Sequence, residues 1–406
     1  MSFSIDSPVL IVGAGIAGLM LAQCFRQRSI PYLIFERDES PMSREQGWGL
    51  TLARALDPLL ASLPSDIRKD IFTCQVDQSK WDNDTGTFIF IDTTTLEPKY
   101  KVPPTKRLRV QRDKLRGLLM RDVDILWSKR FMDVSIVDDG VVATFEDGSK
   151  YKGCFLVGAD GAQSAVRPLV ADNPSLSPLP IRMLGTKATL TSDQAEPLQQ
   201  IDPLLFQGGD PRTGTFIFIS VFDKTLCQDS DEVTYTYQFC LSYPVLPSST
   251  VEPHTSKDTT STPSLLETLK SLAEPFHPAL RRPFLSLPSD SKVVPITIAD
   301  WDAVSWNGNG RVTLIGDAAH TMTMFRGDGA NQGILDALEL VQCLEQASVQ
   351  GRLDKESICQ ALRSFEAQMC PRARAAVLAS RQACLDAHDW NRLAADSPVL
   401  SNRVNG

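Results

Sequence analysis

The chain is poor in metal-ligating pattern. It has four histidines in 406 residues, His254, His277, His320 and His388, and its nine cysteines include no C-x-x-C pair. That spacing excludes a sequence-encoded zinc motif, and the odd cysteine count argues against a disulfide framework. The cysteines read as reduced core residues. No apolar run approaches the roughly 18 residues of a membrane helix. The opening "MSFSIDSPVLIVGAG" has no basic n-region and no full-length apolar h-region, so a cytoplasmic protein without a membrane anchor is expected. No basic block exceeds Arg281-Arg282, and the formal charge is −8 with an isoelectric point near 5.2, which speaks against a nucleic-acid surface. What remains is ordinary globular composition, 42% hydrophobic and 22% charged, with enough chain for two or three domains and a small-molecule partner.

The stretch Pro8–Asp38 reads as a β-α-β unit. Val9–Val12 is β-branched, Ile16–Arg28 has helical periodicity, and Tyr32–Phe35 is a second strand. Arg109–Met120 reads as a helix, and 131–160 as a meander turning at Asp139-Gly140 and Asp147-Gly148. From about Pro174 the pattern changes to strands such as "TGTFIFISVF" and "VTYTYQFCLSY", interrupted by a Ser/Thr/Pro-rich loop at Leu246–Ser264. Three helices are expected near the end, at Gln332–Leu344, Lys355–Met369 and Arg372–Asn391. The implied organisation is an α/β nucleotide domain, 1–172 with 291–345, carrying an inserted β-rich substrate domain, 173–290, and a C-terminal helical region, 346–406.

Gly13-Ala14-Gly15-Ile16-Ala17-Gly18 is a G-x-G-x-x-G fingerprint placed between a strand and a helix, with Glu36 at the end of the next strand. Gly13 permits the tight turn, Gly15 lets a pyrophosphate approach the backbone, and Gly18 allows helix and strand to pack. Glu36 can accept hydrogen bonds from a ribose. The fingerprint alone does not separate NAD from FAD. Two further glycine/aspartate junctions follow, "FLVGADGAQSAVR" and "GDAAHTMTMFRGDGANQG", and three such sites suit a long ligand with several polar segments.

Together, "GAGIAG" with Glu36, "RVQRDKLRGLL", "GADGAQSAVR" and "GDAAHTMTMFRGDGANQGILDALEL" resemble, in order, the FAD-binding signatures of the para-hydroxybenzoate hydroxylase-like class A flavoprotein monooxygenases, most nearly the soluble fungal enzymes of secondary metabolism. The resemblance implies a Rossmann-like FAD domain, with NADPH or NADH as reductant. It implies that dioxygen adds at flavin C4a and that one oxygen atom passes from the hydroperoxide to a bulky aromatic or polycyclic molecule. Arg112 would contact the flavin nucleotide, Asp160 would serve a motif tied to FAD and NADPH, and Asp317 would hold the ribityl chain. The amides at Gly329 and Ala330 would face the flavin N1–C2 carbonyl edge. Arg37, Arg44 and Gly49 match further positions near the cofactor. Where that class commonly has a proline, this chain has Met324, a residue expected beside the substrate. Tyr235 and Tyr237 are candidate pocket residues, and no residue is assigned as catalytic. Epoxidation or oxidative rearrangement would use the same cofactor motifs. A non-enzymatic binder on this fold would have lost flavin-facing residues, whereas Arg112, Asp160 and Asp317 are all present.

Overall fold

The computed structural model describes residues 5–43, 47–80, 84, 86–226, 232–245, 263–302 and 304–401. Arg44 and residues 246–262 of the Ser/Thr/Pro-rich loop lie outside these. The chain divides into two compact units. One comprises Met1–Cys74, Arg112–Ser177 and Asp300–Arg381, the other Gln75–Gln111, Pro178–Ala299 and Gln382–Gly406.

In the first unit, five parallel strands run in the order Val312–Leu314, Leu156–Gly158, Val9–Val12, Tyr32–Phe35, Ile125–Leu126. Val9–Val12 is buried along its whole length, as a central parallel strand must be. Helix Ile16–Gln27 follows it directly and buries Ile16, Leu19, Met20, Leu21 and Phe25. A three-stranded antiparallel meander, Phe131–Val137, Gly140–Phe145 and Lys150–Gly153, matches the expectation for 131–160 up to Gly153, after which Leu156–Gly158 leaves it for the parallel sheet. Its Phe145 and Tyr151 rings lie 4.5 and 4.9 Å from Phe35.

The second unit is built on a seven-stranded sheet in the order Val294–Asp300, Ser177–Thr191, Val233–Pro244, Phe216–Leu226, Leu205–Gly209, Phe88–Asp92, Pro98–Val102. Alternation sends Tyr237, Phe239, Leu241, Ile217 and Ile219 to one face, where they pack with Leu198, Leu269, Leu280 and Phe284 from three helices. Two of those helices, Ser192–Gln199 and Leu265–Ala273, start with reciprocal capping boxes at Thr191 and Ser264. The alternate positions include two that are polar yet buried, Ser220 and Gln238.

Three expectations are corrected. Residues 75–111 belong to the second unit and not to the nucleotide domain, because Phe88–Asp92 pairs with Leu205–Gly209. Arg109–Met120 is not one helix. Leu108–Gln111 is a buried strand, with Arg109 donating to Ser220 Oγ at 2.8 Å, and the helix is Arg112–Leu119. The C-terminal residues form no separate region: one helix, Lys355–Ala387, runs through Pro371, and the unit boundary falls after Arg381. A proline inside a helix costs about 3 kcal/mol, but Phe365, Met369, Ala373 and Val377 bury one continuous face across it. Among the described residues no helix is long and apolar enough to cross a membrane, and no group of His, Cys, Asp and Glu is placed to hold a metal ion.

Candidate functional site

The first unit carries a groove where strand Val9–Val12 turns into helix Ile16–Gln27. Gly13 has φ +108°, and a Cβ there would come within 2.4 Å of Ala159 O. A Cβ on Gly18 would lie 2.1 Å from Gly13 O. Both glycines are therefore required by the fold. Gly15 is different: a Cβ there would meet nothing within 4 Å. It stands at the N-terminus of a twelve-residue helix that has no side-chain cap, so its open space faces amides suited to an anion.

Glu36 ends the neighbouring strand and is 6% exposed. Its Oε2 accepts from Ala14 N at 2.9 Å and its Oε1 from Asp38 N at 3.2 Å. Arg116, one turn into helix Arg112–Leu119, donates through Nε to Ala14 O at 2.8 Å, and its Nη2 lies 3.9 Å from Glu36 Oε2. Arg116 thus braces both the glycine turn and the acid. Asp160 folds back on its own turn, accepting from Ser164 Oγ at 2.6 Å and Ala165 N at 2.7 Å. Burial pushes its carboxyl upward, against the pull of those donors.

Gly13, Gly15, Glu36, Arg37, Arg112 and Asp160 all line this one groove. Sequence reasoning missed Arg116, Lys129, Arg130 and Gln163, which line it too. Arg116 was legible as the first-turn continuation of Arg112 on one helix face. Gly18 serves the packing of helix against strand.

A second group assembles at the turn Asp317–His320. Gly316 adopts φ 60° and ψ −145°, a conformation open essentially to glycine, and redirects the chain after strand Val312–Leu314. Asp317 keeps an exposed surface although protein surrounds it, whereas Ala318, Ala319 and His320 are buried. Burial pushes the Asp317 carboxyl upward, opposed by His320, Arg112 and Arg167. A Cβ on Gly329 would lie 3.5 Å from Asp317 Oδ1, so helix Gly329–Ala347 begins against that carboxylate. Asn331 Oδ1 accepts from Ala53 N and Ala55 N at 3.0 and 3.1 Å, tying the strand Gly49–Leu52 to the helix start. The two groups meet at small residues: a Cβ on Gly316 or Gly333 would stand 3.0 or 3.2 Å from Ala17 Cβ, in the first helix.

The expected pocket residues fare differently. Met324 is 45% exposed and opens the short turn Met324–Arg326. Tyr237 is 1% exposed inside the helix-covered core, where burial pushes its phenol upward, and Tyr235 packs against the same core. Neither tyrosine therefore presents itself as a pocket residue. Strand alternation decides this, because the odd positions of Val233–Pro244 face the helices.

The groove joins an uncapped helix N-terminus at Gly15 to the side chains of Arg37, Arg112, Lys129 and Arg130, a setting that suits an anionic ligand. A family model described as "FAD binding domain" matches residues 248–378. A "Probable FAD-dependent monooxygenase" of Arthroderma benhamiae is 36% identical over 421 residues, covering 99% of this chain and 96% of that protein. The "FAD-dependent monooxygenase dbaB" of Emericella nidulans is 39% identical over 343 residues, 82% and 85% of the two chains. The chain belongs to the family of FAD-dependent monooxygenases. Among solved structures, HpxO of Klebsiella pneumoniae, complexed with FAD and uric acid, has the same fold with a TM-score of 0.73 at 21% identity, covering 97% of this chain and 92% of that one. The 2,6-dihydroxypyridine-3-hydroxylase of Arthrobacter nicotinovorans gives 0.72 at 18% identity, covering 99% and 98%.

Proposed function

We propose that the protein oxidises NADPH, or NADH, and uses dioxygen to hydroxylate a bulky aromatic or polycyclic small molecule. The observation that supports this most is the junction of two built sites through Ala17: an open helix N-terminus at Gly15, and a carboxylate, Asp317, facing the start of a second helix at Gly329. A dinucleotide with a tricyclic head needs both. The residues fit FAD in this respect, since the space above Gly15 is clear while Gly13 and Gly18 are tightly filled.

In this reading the amides at Gly15 bind the pyrophosphate, Glu36 accepts from the ribose hydroxyls, and Arg112 offsets phosphate charge. Asp317 accepts from the ribityl chain. The Gly329 and Ala330 amides, at the N-terminus of a 19-residue helix, oppose negative charge on the pyrimidine edge. Bound FAD supplies the redox chemistry and the oxygen activation, while the chain supplies orientation and water exclusion. Arg37 and Gly49 flank these contacts, and Met324 offers a soft apolar wall to the substrate.

The test is NADPH oxidation across a panel of phenols, indoles and polyketides, with products identified by mass. Consumption should be slow alone and faster with a substrate that gains one oxygen atom. Oxygenation of a substrate without consumption of NADPH or NADH, or a product whose added oxygen does not come from dioxygen, would refute the reading.

A further inference from the structure

Asp336, in helix Gly329–Ala347, is completely buried, and its carboxylate spans the Asp317 turn. Its Oδ2 accepts from Gly316 N at 2.7 Å and from His320 Nε2 at 2.5 Å, one residue before Asp317 and three after it. Its Oδ1 accepts from Arg372 Nη2 at 2.7 Å. Arg372, from helix Lys355–Ala387, is itself held by Glu339 at 2.8 and 3.1 Å and by Gln332. A single carboxylate therefore fixes both ends of the turn that presents Asp317, and a second helix fixes the carboxylate.

We propose that Asp336 and His320 are positioning residues for FAD: Asp336 clamps the Asp317 turn, and His320, paired with Asp336, supplies the positive charge beside Asp317 that suits it to accept from the ribityl chain. This rests on the FAD reading given above.

The surrounding charges are consistent with that division. Burial alone lowers the His320 imidazole, but the Asp336 carboxylate overcomes it and the resulting shift is upward, with Asp317 adding to it and Arg372 opposing. Burial alone raises Asp336, but His320, Arg372 and the Gly316 amide bring it below the usual carboxylate range. Around Asp317, burial raises the carboxyl, His320 is the foremost opposing charge ahead of Arg112 and Arg167, and Asp336 adds to the rise. With the ring protonated, as its bond to the Asp336 carboxylate favours, its removal is expected to let Asp317 take up a proton at a higher pH.

The test is FAD affinity as a function of pH, read by quenching of flavin fluorescence, for the wild type, H320Q, D336N, D317N and the double variant H320Q/D317N. The glutamine side chain in H320Q keeps a donor for Asp336 and removes the charge. The acid limb of FAD binding should move upward by about one pH unit in H320Q, and the D336N variant should bind FAD about tenfold or more weakly at neutral pH. In the D317N background, the His320 substitution should leave the profile in place. A folded H320Q protein with the wild-type acid limb overturns the inference, as does an equal displacement in the D317N background. Should D336N fail to fold, the H320Q comparison decides alone. A wild-type protein that takes up no FAD overturns the cofactor assignment, and the inference with it.

Discussion

Arg167 Nη2 donates to the main-chain oxygen of Asp317 at 2.8 Å, while its Nε donates to Ala318 O at 2.8 Å and its Nη2 also meets Thr321 Oγ1 at 3.0 Å. The guanidinium sits 4.7 Å from the centre of the Trp301 ring. One side chain from the "GADGAQSAVR" segment thus holds the backbone of the "GDAAH" segment, so the two motifs act as one unit.

Replacing Arg167 with Ala removes the side-chain donor to Ala318 O and leaves Asp317 O with Thr321 Oγ1 alone, at 2.6 Å. Each buried polar group left unpaired costs about 1–3 kcal/mol, so the variant is expected to unfold several degrees lower and to lose FAD. Arg167→Lys should rescue little, because a lysine cannot reproduce the fork that reaches two successive carbonyls. Thermal denaturation with and without FAD checks this; a lysine variant equal to wild type would refute it.

Gly13 and Gly15 should separate folding from binding. A methyl on Gly13 collides with Ala159 O and requires φ +108°, so Gly13→Ala should destabilise the apoprotein. Gly15 has ordinary backbone angles and open space, so Gly15→Ala should melt close to wild type while binding FAD more weakly. Denaturant unfolding of the two apoproteins, followed by FAD titration, distinguishes them. Equal apoprotein losses would contradict the assignment of that space to ligand.

Much of this was legible in sequence because local rules and tertiary packing agree there. The Gly13–Gly18 turn, Glu36 at its strand end and the 131–153 meander follow from periodicity and turn residues alone. What was not legible depends on partners distant in sequence. Arg109 reads as helical by its flanking residues, yet its bond to Ser220, 111 positions away, goes with a strand. Asp336 and Arg372 lie 36 positions apart on two helices, and only the packing of those helices buries Asp336 and brings the partly buried Arg372 against it. Tyr237 required knowing which sheet face the three helices cover.

Glu366 makes stability pH-dependent. Burial pushes its carboxyl up to about 7, and Trp306 Nε1 donates to it at 3.1 Å. A raised folded-state value means the folded protein keeps a proton that the unfolded chain releases above its ordinary value of 4.5. The associated stability is therefore full below that value and is lost as the pH rises through about 7. Glu366→Gln, which still accepts from Trp306, should melt nearly as wild type at about pH 4 and higher than wild type at about pH 8. Parallel melting curves at both pH values would refute this.

Met324 is exposed on the turn preceding helix Gly329–Ala347. Met324→Ala is expected to keep flavin content near wild type while raising peroxide released per NADPH or changing the product ratio, because a loosely held acceptor misses the oxygen transfer. Flavin loss with unchanged products and coupling would make Met324 a purely structural residue.

The flavin absorbance of purified protein incubated with FAD and then desalted, wild type beside Asp317→Ala, tests the site most directly. Asp317 keeps an exposed surface on a turn whose other residues are buried. The expected result is a yellow wild type with close to one FAD per chain and a folded Asp317→Ala variant that loses most of it. A colourless wild type, or a variant that retains FAD equally well, would contradict the placement of FAD at this junction.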